Sequence, residues 1–214
     1  MKEIKGDYMI NKLGWKIGGE QGEGIESTAE IFSTVVNTLG YHMYSTRDFA
    51  SRIKGGHSNS KICISEEKIN VIDYKTDILI AFDQATLDSY IPELDENSII
   101  IADAKIKPEI SEEIKGLVAV FPITELAKEI ANPIIKNIIT LGICSSLLDI
   151  DSKLFYDMIE TKFSSKGEEV VNINIQAFDK GREIMTEFME ENDIKDKYYL
   201  KKLGKKEKNN MWLI

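Results

Sequence analysis

Leu13, Trp15 and Ile17 alternate with small and polar residues, and from Ile25 onward Ala29, Ile31, Phe32, Val35, Val36 and Leu39 recur at helical spacing. The first pattern predicts a half-buried strand and the second an amphipathic helix. Between them runs Gly18-Gly19-Glu20-Gln21-Gly22-Glu23-Gly24. Strand, glycine loop and helix start together make an anion cradle, because bare backbone N–H groups and the positive end of the helix dipole face one point.

The pattern continues with a second strand over Tyr41–Thr46. Ser60–Ser65 and Ile69–Tyr74 alternate around Glu66-Glu67-Lys68 and predict a hairpin, although that turn lacks Asn-Gly chemistry. Asp77–Phe82, Ser98–Ala102 and Leu117–Pro122 are continuous apolar runs, as expected of strands covered on both faces. Short helices are expected at Gln84–Tyr90 and Pro108–Lys115. From Ile123 the pattern is helical. Ile134 to Leu148 is apolar nearly all round and predicts a buried helix. Asp151–Lys162 and Asn174–Asn192 are amphipathic, the latter with Ala177, Phe178, Ile184, Met185 and Phe188 inward. Strands alternating with helices predict an α/β, Rossmann-like three-layer domain with a mainly parallel sheet, one antiparallel hairpin and a helical C-terminal portion.

The glycine loop supplies candidate ligand contacts at Gly19, Gly22, Gly24 and Ser27. The glycines serve ligand approach, positive φ or close helix packing, and all three readings stand. Ser27 and Thr28 are ordinary first-turn residues or phosphate donors. Glu20 and Glu23 oppose a bound phosphate unless they turn away, face a partner or satisfy the helix N-terminus. A second loop, Ser51-Arg52-Ile53-Lys54-Gly55-Gly56-His57, adds two cations two residues apart, which point the same way on extended backbone. Arg52 and Lys54 read either as ordinary surface cations or as charge for a polyphosphate or an interface, and both readings stand. His57 has no carboxylate or nucleophile placed beside it by sequence, so a strand cap or a ligand or partner contact fits better than a general base. The stretch Tyr41–Arg47 lacks the acidic residue that a ribose usually needs, which argues against NAD. Arg47 suits a phosphorylated ribose, so NADP stays open.

Charge and composition narrow the classes. A net charge of −9 argues against nucleic acid. The two cysteines, Cys63 and Cys144, sit in apolar runs and read as buried thiols, with no zinc or iron–sulfur ligand pattern. No span is apolar enough for a bilayer and no leader-like segment opens the chain, so a soluble cytoplasmic protein is expected. The domain is expected over residues 1–192. Residues 193–214 carry seven lysines against three acids and read as a basic linker, solvated or docked on an acidic neighbour. The apolar Met211-Trp212-Leu213-Ile214 after it predicts a chain continuing into a further domain.

Four segments in order carry a resemblance: GGEQGEG opening a helix, SRIKGGH, KNIITLGICSSLLDI and NINIQAFDKG. Over roughly Leu13 to Gly181 the chain resembles the gamma domain of 2-oxoacid:ferredoxin oxidoreductases, the pyruvate and 2-oxoglutarate enzymes, in the form fused ahead of an alpha part. The resemblance implies part of a multi-subunit enzyme that converts a 2-oxoacid and coenzyme A to acyl-CoA, CO2 and reduced ferredoxin or flavodoxin. It implies alpha and beta partners that carry thiamine diphosphate, magnesium and iron–sulfur clusters, with none of these and no catalytic residue on this chain. It implies an isolated domain without activity, able to form a homodimer. Coenzyme A would be clamped by Gly19, Gly22, Gly24 and Ser27, with Arg52 and Lys54 as chemically suitable counter-charges. A scaffold domain that binds nothing small, and a free-standing NADP or nucleotide-binding domain, are the alternatives.

Overall fold

The computed structural model describes residues 12–49, 56–69 and 75–194, together with Leu200 and Leu203. Six strands form one mixed sheet in the order β2-β3-β1-β4-β5-β6. They are β1 (Lys12–Glu20), β2 (His42–Phe49), β3 (His57–Ser65), β4 (Ile78–Ala81), β5 (Ile99–Asp103) and β6 (Leu117–Phe121). The helices are α1 (Ile25–Thr38), α2 (Gln84–Tyr90), α3 (Ile123–Ile130), α4 (Lys136–Leu147), α5 (Ser152–Phe163) and α6 (Glu168–Glu191).

Strands β1, β4, β5 and β6 run parallel, while β3 is antiparallel to both β1 and β2. The mainly parallel α/β layering predicted from the apolar runs is therefore present. The hairpin predicted from Ser60–Ser65 to Tyr74 is corrected in part. Both edges of β3 are taken, by β1 along its whole length and by β2 from Ser58 to Ser65. The antiparallel turn-back joins β2 to β3 instead, and residues 70–74 lie outside the described residues.

The alternation in β1 sends Leu13, Trp15 and Ile17 to one face; Leu13 pairs with Ile64 and Trp15 with Ile62 of β3, and Trp15 and Ile17 pair with Ile78 and Ile80 of β4. That face is roofed by α1, α4, α5 and α6 and forms the main core. Trp15 stacks on Phe32 of α1 at 4.6 Å between ring centres. Its indole N–H donates to Cys144 Sγ at 3.4 Å. Burial pushes the Cys144 thiol up to about 12, with the indole hydrogen bond opposing. The opposite face is smaller: Leu79, Ala81 and Ile100 pack under Leu87 of α2. Beside them the same face turns polar, because Lys16 and Lys61 are directly paired across β1 and β3.

Three other expectations change. Pro108–Lys115 forms no helix: Lys107 is left-handed at φ 49° and precedes a proline, which disfavours helical entry. The apolar run from Ile134 does not begin as helix. Asn132 caps a 3-10 turn over Pro133–Ile135, α4 starts at Lys136, and Ile134 is left 78% exposed. Helix α6 starts six residues earlier than Asn174, at Glu168. Gly167 at φ 100° turns the chain into it, and Glu168 and Glu169 complement its dipole.

At the other end, Leu200 is buried in the main core and its N–H donates to Leu148 O at 2.9 Å. Leu203 N–H donates to Leu39 O at 2.8 Å. Leu200 and Leu203 are thus each held against the domain; residues 195–199, 201–202 and 204–214, with Met211–Ile214 among them, lie outside the described residues. Among the described residues, no helix is long and apolar enough to cross a membrane.

Candidate functional site

The loop between β1 and α1 is built on two left-handed glycines, Gly22 at φ 94° and Gly24 at φ 78°. Gly24 is the N-cap of α1 and offers no side-chain cap. The first helical N–H groups therefore lack intrahelical acceptors, as at any helix start. Of the two first-turn hydroxyls, Thr28 turns inward and donates to Gly24 O at 3.0 Å. Ser27 stays exposed on the lip of a cleft.

Glycine need is explained position by position. A Cβ on Gly24 would fall inside 3.0 Å of the Asn137 amide, so close packing of α4 requires glycine there in addition to its φ. A Cβ on Gly19 would meet Glu23 Oε2 and Phe82. Gly22 has open space around it, and only its backbone conformation selects glycine.

Glu23 does turn away from solvent. Glu20 N–H donates to its Oε2 at 2.9 Å, and its Oε1 accepts from Lys136 Nζ. Lys136 is 5% exposed and its ammonium also lies 4.2 Å from the centre of the Phe82 ring. In the sequence Lys136 stands in an apolar run, and only the fold brings it against Glu23.

Around these groups opens a cleft of about 540 Å³. Gly22, Gly24 and Ser27 form one wall, and the start of α4 forms the second. Lys162, Phe163 and Lys166, at and just beyond the end of α5, form the third. Lys105 adds a further cation, and Ile134, Val170 and Ile173 add apolar surface. Asn137 is 8% exposed, and its Oδ1 has no hydrogen-bond partner. Lys105, Lys136, Lys162, Lys166 and Asn137 were not legible as site residues, because the topology alone brings β5, α4 and the α5–α6 turn to the glycine loop. Arg52 and Lys54 lie outside the described residues. Gly56, which follows that loop, accepts from Gln21 N–H at 3.0 Å and ties the end of the second loop to the first.

His57 lies on the other sheet face, and the fold gives it the carboxylate that sequence did not. Its Nδ1 is 3.1 Å from Asp83 Oδ2, and its Nε2 is 3.5 Å from the Tyr90 hydroxyl. Asp83 also caps α2, accepting from Thr86 N–H and hydroxyl at 2.8 and 2.6 Å. Burial, then the negative charges of Asp48 and Glu93, push the Tyr90 hydroxyl up to about 12. The triad is hydrogen-bonded internally and stands outside the cleft lining.

The same face holds Glu93 between two lysines. Lys16 Nζ is 2.6 Å from Oε1, and Lys61 Nζ is 3.0 Å from Oε2, which also accepts from the Thr76 hydroxyl at 2.6 Å. Lys16 additionally sits 3.5 Å from the Tyr90 ring centre. Burial raises the Glu93 carboxyl, but its three hydrogen bonds outweigh that and hold it below its ordinary value. For Lys16 burial wins over Glu93 and its ammonium is held low. The asymmetry is physical: Glu93 is 21% exposed and has three donors, whereas Lys16 is 4% exposed and shares one carboxylate with Lys61.

Residues 14–184 match the model of the pyruvate ferredoxin/flavodoxin oxidoreductase family. The chain belongs to that family. It is 27% identical, over 94% of its length, to the alpha subunit of a 2-oxoacid:ferredoxin oxidoreductase from a Sulfolobus species, of which it covers 37%. It is 30% identical to the 2-oxoglutarate synthase subunit KorC of Methanocaldococcus jannaschii, with 66% of the chain and 76% of that subunit covered. Among solved structures, it resembles the 2-oxoglutarate:ferredoxin oxidoreductase of Magnetococcus marinus, with 2-oxoglutarate, coenzyme A and succinyl-CoA bound. The TM-score is 0.77 at 27% identity, over 83% of this chain and 31% of that one. The fold also matches a keto/oxoacid ferredoxin oxidoreductase gamma subunit from Geobacter sulfurreducens, with a TM-score of 0.69 at 21% identity, over 82% and 99% of the two chains. Family membership thus rests on most of the sequence, while the chain spans little more than a third of the Sulfolobus relative.

Proposed function

We propose that this chain is the gamma-type domain of a 2-oxoacid:ferredoxin or flavodoxin oxidoreductase and that its cleft helps hold coenzyme A. The observation that carries the reading is the meeting of a helix N-terminus, Ser27 and several lysines with apolar surface in one cleft of about 540 Å³. Coenzyme A has that dual chemistry: phosphates at one end and a long, weakly polar arm at the other. Gly24 carries less of the argument, because its contact with Asn137 already demands glycine.

The domain's task would be positioning. The N–H groups of the first α1 turn and the Ser27 hydroxyl orient a phosphate. Lys162, Lys166 and Lys105 supply charge at the rim, and Arg52 and Lys54, outside the described residues, are the further counter-charges proposed from sequence. Phe163, Val170 and Ile173 shelter the apolar arm. An acceptor thiol held in this way reacts as if at high local concentration. Decarboxylation and electron transfer would fall to thiamine diphosphate, magnesium and iron–sulfur clusters on alpha and beta partners, which are also the source of ferredoxin contact. None of this chain's residues is assigned to bond-making. The Magnetococcus structure, solved with coenzyme A bound, supports this reading for a chain of the same fold.

The test is reconstitution with the alpha and beta partners. Reversing Lys162 and Lys166 to glutamate should raise the KM for coenzyme A and leave the KM for the 2-oxoacid unchanged. Unchanged coenzyme A kinetics in a folded, assembled double variant would refute the cleft assignment and favour a purely scaffolding domain.

A further inference from the structure

Glu23 and Lys136 form an ion pair inside the cleft wall, with side chains 17% and 6% exposed. Glu23 is flanked by Gly22 and Gly24, both at positive φ. Its carboxylate takes up the Glu20 N–H and the Lys136 ammonium, which are the groups a bound phosphate oxygen would seek there. Beside Lys136, the Oδ1 of Asn137 is buried and unpartnered. A buried acceptor left open costs stability unless a ligand or water supplies a donor. The cleft thus holds an internal anion where an external anion would bind, next to an acceptor waiting for a hydroxyl or amino group.

We propose that Glu23 is a displaceable internal counter-anion: an incoming phosphate takes its place on Lys136, and the pair sets the affinity and selectivity of the cleft for phosphorylated nucleoside ligands. The inference rests on the coenzyme reading of the same cleft and adds how the site is kept neutral when empty. Three features support exchange over a fixed structural bridge. The carboxylate is carried by a short loop between two glycines, and a swing of Glu23 breaks no regular secondary structure. Lys136 keeps the Phe82 ring as a second partner at 4.2 Å while the carboxylate is replaced. A ligand that carries both a phosphate and a hydroxyl or amino group satisfies Lys136 and Asn137 at once. A bare carboxylate satisfies only the first. Selectivity follows, because any anion must outcompete a carboxylate already hydrogen-bonded in place.

The experiment is calorimetric titration of the folded chain with inorganic pyrophosphate and, separately, with coenzyme A. Wild type, Glu23→Gln and the double variant Glu23→Gln/Lys136→Gln are compared at low salt. Removing the competing charge should tighten pyrophosphate binding by about tenfold, in the range of one charge-assisted contact. The double variant should lose that gain, because the gain acts through Lys136. Should Glu23→Gln melt below the working temperature, Glu23→Ala, which also removes the competing charge, replaces it, and the same tightening is expected. Equal pyrophosphate affinity in wild type and the Glu23 variant, including no binding by either, overturns the displacement proposal whatever coenzyme A does. If pyrophosphate follows the expected pattern and coenzyme A does not bind, displacement stands and the coenzyme reading falls.

Discussion

The Asn137 amide rests directly on the Cα of Gly24, where any side chain would force the first turn of α1 away from the start of α4. Gly24 is also held at φ 78°. Gly24→Ala should therefore destabilise the fold without any ligand present, by about 1–3 kcal/mol from backbone strain alone. Adding Asn137→Gly should recover the steric part and leave the strain. Gly22→Ala, with open space around it, should cost less than Gly24→Ala. Thermal denaturation of the variants checks the order. Equal melting temperatures for all of them would show that the loop yields freely and that packing does not select glycine.

Gly142 of α4 and Gly181 of α6 bring two backbones together. A Cβ on Gly142 would strike the carbonyl of Phe178, and one on Gly181 the carbonyl of Ile139. Rigid helix backbone cannot swing aside as a side chain can. Gly142→Ala or Gly181→Ala should each lower stability by about 1–3 kcal/mol, the usual cost of overpacking a core. Urea denaturation followed by circular dichroism measures it. A melt unchanged from wild type would contradict the reciprocal packing.

The legible parts of the molecule were those set by local pattern. Alternation at Leu13–Ile17 and the apolar runs gave the strands, and Gln84–Tyr90 was read to its ends, because Asp83 and Thr86 cap it by local chemistry. Ile134 was misread because periodicity cannot see the Asn132 cap and Pro133 that delay α4 by two residues. Lys16 and Lys61 sit on apparently amphipathic strands, yet both are buried, since Glu93 from a distant turn covers them. The strand, glycine loop and helix start were legible as one turn. The cations around it were not: Lys136, Lys162 and Lys166 reach it only through tertiary packing, as Asp83 reaches His57.

Glu93 should govern acid stability. Its folded carboxyl lies below the ordinary value, so the stability it contributes is present above the unfolded carboxylate value and is lost as pH falls through the depressed folded one. Glu93→Gln takes from Lys16, 4% exposed, the carboxylate that neutralises it and should cost about 3–5 kcal/mol at neutral pH. The gap between variant and wild type should narrow in acid. Denaturant titrations from neutral pH down to about 3 measure the gap; a constant gap would contradict the assignment.

Cys144 should be inert while the protein is folded. Its thiol is fully buried and pushed up to about 12, so almost no thiolate exists near neutrality. Iodoacetamide at about pH 8, near the ordinary thiol value, followed by peptide mass spectrometry, should label Cys144 only after denaturation. Rapid labelling of native protein would mean that the Trp15–Cys144 contact opens readily.

Binding of coenzyme A by the folded chain is the most direct measurement. Isothermal titration at low salt should give saturable binding that weakens as salt rises, because screened lysine charges contribute, and that weakens further in the Lys162→Glu/Lys166→Glu variant. A folded chain that takes up no coenzyme A at millimolar concentration, or one whose affinity ignores both salt and charge reversal, would contradict the account.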